Sequence, residues 1–304
     1  MGNLVAYALC ALIWSSTWLF IKVGLESVTP ITSLAVRFLL AAPVLWIMAR
    51  RGGEPSPRGA REFATLAFQG FGMCALPYFL VYWGEAKLPS GLTAVLFAVH
   101  VVTVPVLAHF LLTHEKFRLG QVAGILLGFA GVVIVCFSRL HGAADWAGAA
   151  AVLVAAVTQA YMAVFSRKRL EKKPPLTMLA WANLFGGLML VPFALLLEPH
   201  PIRRMDPMGL VAILYLSWFG TVIAFALVFR LFHNWGATRT STISLITPPL
   251  ALLWGWIFLH EQLGLSFLIG GALVSVGVWQ ANREAHSASS SMPAASRSPS
   301  NSSE

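Results

Sequence analysis

The chain has 304 residues, of which 58% are hydrophobic and only 11% charged, whereas soluble domains run near 45–50% and 25%. Its formal charge of +9 would suit a nucleic-acid binder. The apolar residues, however, gather in long uncharged segments of membrane-spanning length, which excludes a single soluble core and argues against a nucleic-acid partner. Cys10, Cys74 and Cys136 all fall inside apolar runs, and their odd number implies no disulfide framework.

In chain order, the first span covers Asn3 to Gly24. It lacks a basic leader and a small-residue cleavage site, so it is expected to be retained as a helix. Four more follow at Ser33 to Ala49, Phe63 to Gly84, Gly91 to Leu112 and Gly120 to Ser138. After a short loop come Ala147 to Ser166, Thr177 to Leu197, Gly209 to Leu231, Thr238 to Leu259 and Ser266 to Asn282. Each is near the ~20 residues that cross a hydrocarbon core, which makes ten. Residues 285–304 are serine-rich with Pro293 and Pro299, and read as a disordered cytoplasmic tail.

The spans form two sets of five. Pro89 to Glu115 and Trp235 to Glu261 are built alike, and superposing Glu115 on Glu261 (261 − 115 = 146) also aligns Gly124 with Gly270 and Gly131 with Gly277. Lys and Arg segregate between the loops. Fourteen, among them Arg50, Arg51, Lys116, Arg167 and Lys168, fall on the face shared with both termini, against Lys87, Arg139, Arg203 and Arg204 opposite. That bias places both termini in the cytoplasm. Five is odd, so the second set enters the membrane inverted relative to the first, and inverted repeats place substrate at their interface near the midplane. The domains expected are 3–138 and 147–282.

The first-span pattern IWSSTWLFIKVGL, the second-span AVRFLLAAPVL and the paired helix–Glu–helix units ending FAGVVIV and VSVGVWQ resemble the EamA type of the drug/metabolite transporter superfamily over residues 3–282. The resemblance implies an all-α membrane protein of ten transmembrane helices in two inverted five-helix repeats. It also implies a bacterial inner-membrane carrier, often an exporter of amino acids or related metabolites, with a cavity between its halves. One departure is in the fourth span, where the family commonly has a proline thirteen residues before the glutamate. Pro248 keeps that spacing in the ninth span, but Val102 occupies it in the fourth, with Pro105 displaced by three.

All twelve acids sit at span ends, in loops or in the tail. Multidrug members of the superfamily rely on an acid in the first helix, where this chain has Trp14, Ser15 and Trp18. His100 is the ionisable group nearest a span centre, and such a group marks a pathway, relay or ligand contact, or is a neutral histidine satisfied by a backbone carbonyl. It shares a helical face with Phe97. Proton coupling through His100 is one hypothesis for it.

Aromatic stripes supply further candidates for a substrate cavity. Tyr78 and Tyr82 share a face with Glu85 on the third span, Trp14 and Trp18 share one on the first, and Trp218 shares one with Phe225 and Phe229 on the eighth. Lipid contact competes with cavity lining for the tryptophans and phenylalanines. Gln159 and Tyr161 on the sixth span, and Thr242 and Ser244 on the ninth, offer polar groups that could bind a solute or join helices. Lys22 and Arg37 fall toward the outer ends of their spans with Glu26 near. Pairing or snorkelling therefore competes with holding a substrate carboxylate, and with Glu85 they form a candidate carboxylate-holding or gating set.

The function that follows is a secondary carrier exporting a small neutral or zwitterionic metabolite such as an amino acid, its partners being that solute and the lipid bilayer, with protons as a candidate coupling ion. A multidrug cation/proton antiporter is the alternative, and a multihelical membrane enzyme or receptor the third reading. No catalytic pair, metal cluster or cofactor motif is recognised, and no ATP-binding P-loop.

Overall fold

The computed structural model describes residues 2–111, 119–140, 142–170, 173–203, 206–262 and 264–290. Within them the chain is helical, and one isolated antiparallel bridge pairs Val28 with Ile202. The first half comprises α1 (Asn3–Ser27), α2 (Pro30–Arg51), α3 (Ala60–Gln69), α4 (Leu76–Glu85), α5 (Ser90–Phe97), α6 (Val99–Leu111) and α7 (Leu119–Arg139). The second half comprises α8 (Ala143–Leu170), α9 (Pro175–Leu197), α10 (Pro207–Leu214), α11 (Ala224–Ser241), α12 (Ile243–Leu259) and α13 (Leu265–Ser290). Among the described residues seven stretches are long and apolar enough to cross a membrane, and Val122–Val135, Ile246–Leu259 and Leu268–Gln280 are shorter apolar helices. Helix α13 continues to Ser290, into the segment expected to be unstructured, and 291–304 lie outside the described residues.

The two halves repeat one order of elements. A π-helical stretch, Gly70–Ala75, joins α3 to α4, and another, Tyr215–Ile223, joins α10 to α11, starting 145 residues later (215 − 70). Such bulges widen a helix by one residue per turn and re-aim the side chains they carry. Both contribute to the cavity described below.

Helices associate across the halves more than within them. The most extensive pairings are α7 with α13, α2 with α9, α4 with α8 and α1 with α12. Lipid offers apolar side chains as good an environment as a neighbouring helix does, so association depends on close packing and hydrogen bonds. The glycines supply the first. A Cβ on Gly131 would come within 2.8 Å of Val274 N and also strike Gly270 O, and one on Gly277 would strike Gly124 O and Gly128 N. Gly124 therefore meets Gly277 and Gly131 meets Gly270, the crossed pattern expected when two copies of one helix pack antiparallel.

Carboxylates supply the second. A helix N-terminus leaves unpaired N–H groups that attract an anion. Glu198 accepts from Ile31 N (3.0 Å) and Thr32 N (2.8 Å) at the start of α2, and from the hydroxyls of Thr29 and Thr32. Glu54 does the same for α9, accepting from Leu176 N (3.3 Å) and Thr177 N (2.7 Å). Glu261 takes Ser90 N (2.6 Å), Ser90 Oγ (2.8 Å) and Gly91 N (3.1 Å) at the start of α5. Each cap comes from the opposite half of the chain. Glu115, aligned with Glu261 in the sequence, lies outside the described residues.

The fourth apolar stretch is interrupted at Ala98. Val101 N–H bonds Ala98 O at 3.1 Å, one residue short of the helical spacing, so the turn tightens four residues before Val102, where a proline at 102 would have freed the same carbonyl.

Replacing Glu198 with alanine should strand two backbone N–H groups and two hydroxyls and cost about 1–3 kcal/mol. Thermal unfolding of the detergent-solubilised protein should show a lowered midpoint for Glu198→Ala and a smaller fall for Glu198→Gln; an unchanged midpoint would remove this cap from the account.

Candidate functional site

A cavity of about 260 Å³ lies among α1, α2, α4, α5, α6, α8, α11 and α12 and the two π-helical stretches. Of the residues singled out from sequence, Trp14, Trp18, Arg37, Tyr78, Phe97, His100, Gln159 and Ser244 all line it. Its walls are largely aromatic. Trp18 packs against Phe97 with ring centroids 5.5 Å apart, Trp14 meets the edge of Phe225 at 5.5 Å, and the His100 ring lies 5.0 Å from that of Phe97.

Arg37 dominates the chemistry. Position 37 lies seven residues into α2 from Pro30, or about 10 Å along the axis, and its side chain is 2% exposed. Its Nε donates to Thr221 Oγ1 at 3.2 Å and its Nη1 to Tyr82 Oη at 3.2 Å, while the guanidinium carbon sits 5.1 Å from the Tyr78 ring centroid. The π-helical turn presents Thr221, whose own hydroxyl donates to Leu216 O five residues back. The expected pairing with an acid does not occur: among the described residues no carboxylate lies within ion-pair distance, and Glu26 is exposed. Neutral hydroxyls and a π face hold the cation in place, and the remaining guanidinium donors have no acceptor among the described residues.

His100 and Gln159 line the same space. His100 Nδ1 lies 2.9 Å from Phe97 O; a carbonyl can only accept, so Nδ1 carries the proton and Nε2 of the neutral ring is left as an acceptor. Gln159 Oε1 is buried without a hydrogen-bond partner. The cavity therefore combines one fixed cation with one open acceptor, His100 Nε2, inside walls that carry Trp14, Trp18, Tyr78, Phe97 and Phe225. Among the described residues its lining contains no carboxylate.

The other sequence candidates lie elsewhere. Tyr82 is fully buried behind Arg37 and acts as its acceptor. Ser15 is buried in α1, donating to Leu12 O and accepting from Trp254 Nε1 at 2.9 Å. Thr242 hydrogen-bonds Tyr7 Oη at 2.8 Å. Lys22 Nζ donates to the backbone carbonyls of Glu85 (2.7 Å) and Leu88 (2.8 Å) at the turn between α4 and α5, joining α1 to that turn. Glu85 is fully buried at the end of α4 and does not line the cavity. Tyr161 and Trp218 are each 42% exposed on the outer surface of the bundle. Conversely, Thr17, Met73, Gly220 and Thr247 line the cavity without having been singled out. Met73 and Gly220 arrive there through the π-helical stretches, which no hydropathy pattern marks.

The described geometry is that of a cavity holding a buried arginine inside an apolar helical bundle. A family model described as the EamA-like transporter family matches residues 1–137 and again 146–283. The chain belongs to this family. The EamA-like domain is thus present twice, and the protein is a multi-pass membrane transporter. It is similar to an uncharacterized transporter, YoaV, of Bacillus subtilis, with 25% identity over 88% of this chain and 92% of that protein. It is also similar to a probable amino-acid metabolite efflux pump of Salmonella typhimurium, with 25% identity over 89% and 91% of the two chains. A solved crystal structure at 19% identity superposes with a TM-score of 0.70, covering 94% of this chain and 98% of that one, which supports the fold.

In this EamA-like transporter, Arg37→Gln and Trp18→Ala are expected to lower solute flux at least about tenfold, equivalent to 1.4 kcal/mol, whereas Tyr161→Ala and Trp218→Ala should stay within about twofold of wild type. Flux in proteoliposomes, normalised to inserted protein, measures all four, and equal losses would contradict the cavity assignment.

Proposed function

We propose that this protein is a secondary carrier that exports a small zwitterionic metabolite, an amino acid with an apolar side chain, by alternating access. The carrying observation is the cavity itself, in which the Arg37 guanidinium has donors to spare and His100 Nε2 is an unengaged acceptor. A carboxylate fits the first and an ammonium the second, with the solute's side chain against Trp14, Trp18, Phe97 and Phe225. At about 260 Å³ the space falls below the ~300–1,000 Å³ of pockets for drug-sized ligands, which favours a metabolite. A buried cation and no lining carboxylate oppose a cationic drug, the alternative cargo.

In this reading the seven long apolar stretches and three shorter helices are ten crossings in two inverted five-helix repeats, 3–138 and 147–282, in the plasma membrane. Both termini are cytoplasmic, as the lysine and arginine bias indicates. The crossed glycine pairs and the reciprocal Glu54 and Glu198 caps support the inversion. Because α1 packs mainly on the second half and α8 on the first, the moving bodies are groups of helices drawn from both repeats. The amino-acid cargo is supported by the similarity to a probable amino-acid metabolite efflux pump.

The test is counterflow in liposomes. Purified protein preloaded with unlabelled L-leucine or L-phenylalanine should concentrate the same labelled amino acid transiently, while L-lysine and tetraphenylphosphonium should not exchange. Exchange of tetraphenylphosphonium, or of none of the amino acids, would overturn the reading.

A further inference from the structure

The cavity uses Arg37 but leaves one buried acid unexplained. Glu85 ends α4 and is fully buried, and neither carboxyl oxygen has a hydrogen-bond partner among the described residues. This is unlike the half-buried capping glutamates, since Glu54, Glu198 and Glu261 each accept at least two N–H or O–H groups. The nearest cation does not pair with it: Lys22 Nζ points to the backbone carbonyls of Glu85 and Leu88, leaving the carboxyl to one side.

The charged and titratable groups around it come from several elements. α1 brings Lys22, α2 brings Arg37, the segment after α12 brings Glu261, and its own helix brings Tyr82. α8 faces the adjoining turn at Gly84 with Val152 and the Gly148 carbonyl. Tyr82 is engaged by Arg37 and Glu261 by the α5 N-terminus. An ionised carboxylate with no donor in such surroundings would cost several kcal/mol, and a second carboxylate in reach adds like-charge repulsion.

We propose that Glu85 is the proton-binding site of the transport cycle, neutral in the conformation described here. This rests on the carrier reading and adds the coupling ion. When the end of the bundle at the α4–α5 turn opens, water reaches Glu85 and its O–H bond breaks, with the proton transferred to that water. The resulting carboxylate becomes a partner for the Lys22 ammonium, which leaves its two carbonyls. Those carbonyls belong to the turn that leads into α5, and α5 carries Phe97 into the cavity, so protonation and solute binding act on one helix. No electrons are exchanged, and the return step takes a proton from water on reclosing.

Two measurements test this. Infrared difference spectra of the solubilised protein at neutral pH should contain the carbonyl stretch of a neutral carboxylic acid that is missing in Glu85→Gln and persists in Glu26→Gln, an exposed acid on α1. This arm needs no substrate, and absence of the band or its survival in Glu85→Gln overturns the proposal. In liposomes holding a pH-sensitive dye, wild-type flux of the amino acid that shows counterflow should move protons. Glu85→Gln should continue to exchange the labelled amino acid but lose proton movement, and Glu85→Asp should restore part of it. Solute exchange in wild type without proton movement overturns the proposal while leaving the carrier reading intact. Loss of proton movement in His100→Gln, with retention in Glu85→Gln, assigns the proton to His100 and likewise overturns it. Failure of every amino acid to exchange defeats the carrier reading instead, and the infrared arm still decides whether Glu85 holds a proton.

Discussion

The architecture depends on carboxylates that cap helices belonging to the opposite half of the chain. A bilayer supplies no water to its core, so exposed backbone N–H groups at a helix start need a protein partner wherever that start is sheltered. Glu198 serves α2 and Glu54 serves α9. The pairs are related by nearly constant offsets, 198 − 54 = 144 and 176 − 31 = 145, which is how a duplicated chain would satisfy itself reciprocally. α2 and α9 are thereby pinned at two starts and packed along their length, and the crossed glycines do the same for α7 and α13. Any change of access has to carry these pairs as units.

Much of this was legible in the sequence because duplication leaves its mark in spacing. Glu261 and the glycines at 124, 131, 270 and 277 align at a fixed offset, and the structure turns that alignment into crossed contacts. The helical content follows from the long apolar runs, of which seven are long enough to cross a membrane among the described residues and three are shorter helices where the sequence suggested full spans. What composition does not carry is which side of a helix faces the cavity. In a membrane protein the lipid face and the packed face are both apolar, so no amphipathic stripe separates them. Trp14 and Trp18 face inward, whereas Trp218 and Tyr161 lie on the surface, although all four look alike as residues in apolar runs.

Two further features escaped the sequence for a different reason. The π-helical stretches at Gly70–Ala75 and Tyr215–Ile223 shift the register of everything after them, so that a face drawn at 100° per residue fails beyond the bulge. This is how Met73, Gly220 and Thr221 reach the site. Glu85 was recognisable as the end of a span, but the end of a helix is not always the surface of the protein. Here α4 stops below a turn that is closed over by Lys22 and by the Glu261 cap on α5, and the acid is sealed beneath them.

The charges in the bundle form a consistent set once their partners are considered. A guanidinium is expensive to bury, and Arg37 offsets that cost with hydroxyls and a tyrosine face, none of which removes its charge. A carboxylate partner would have stabilised it further, yet would have occupied the donors that face the cavity. The same logic separates the acids. Those that cap helix starts are fully engaged and serve the scaffold, whereas Glu85 has no donor and Lys22 is held a short distance away by carbonyls. Under the proposals above, cation and acid each gain a partner from a change elsewhere: Arg37 from an arriving carboxylate, Glu85 from water and, once ionised, from Lys22. On that reading the unpaired groups are what make a cycle possible, because a fully paired interior would have no reason to change state when a solute enters.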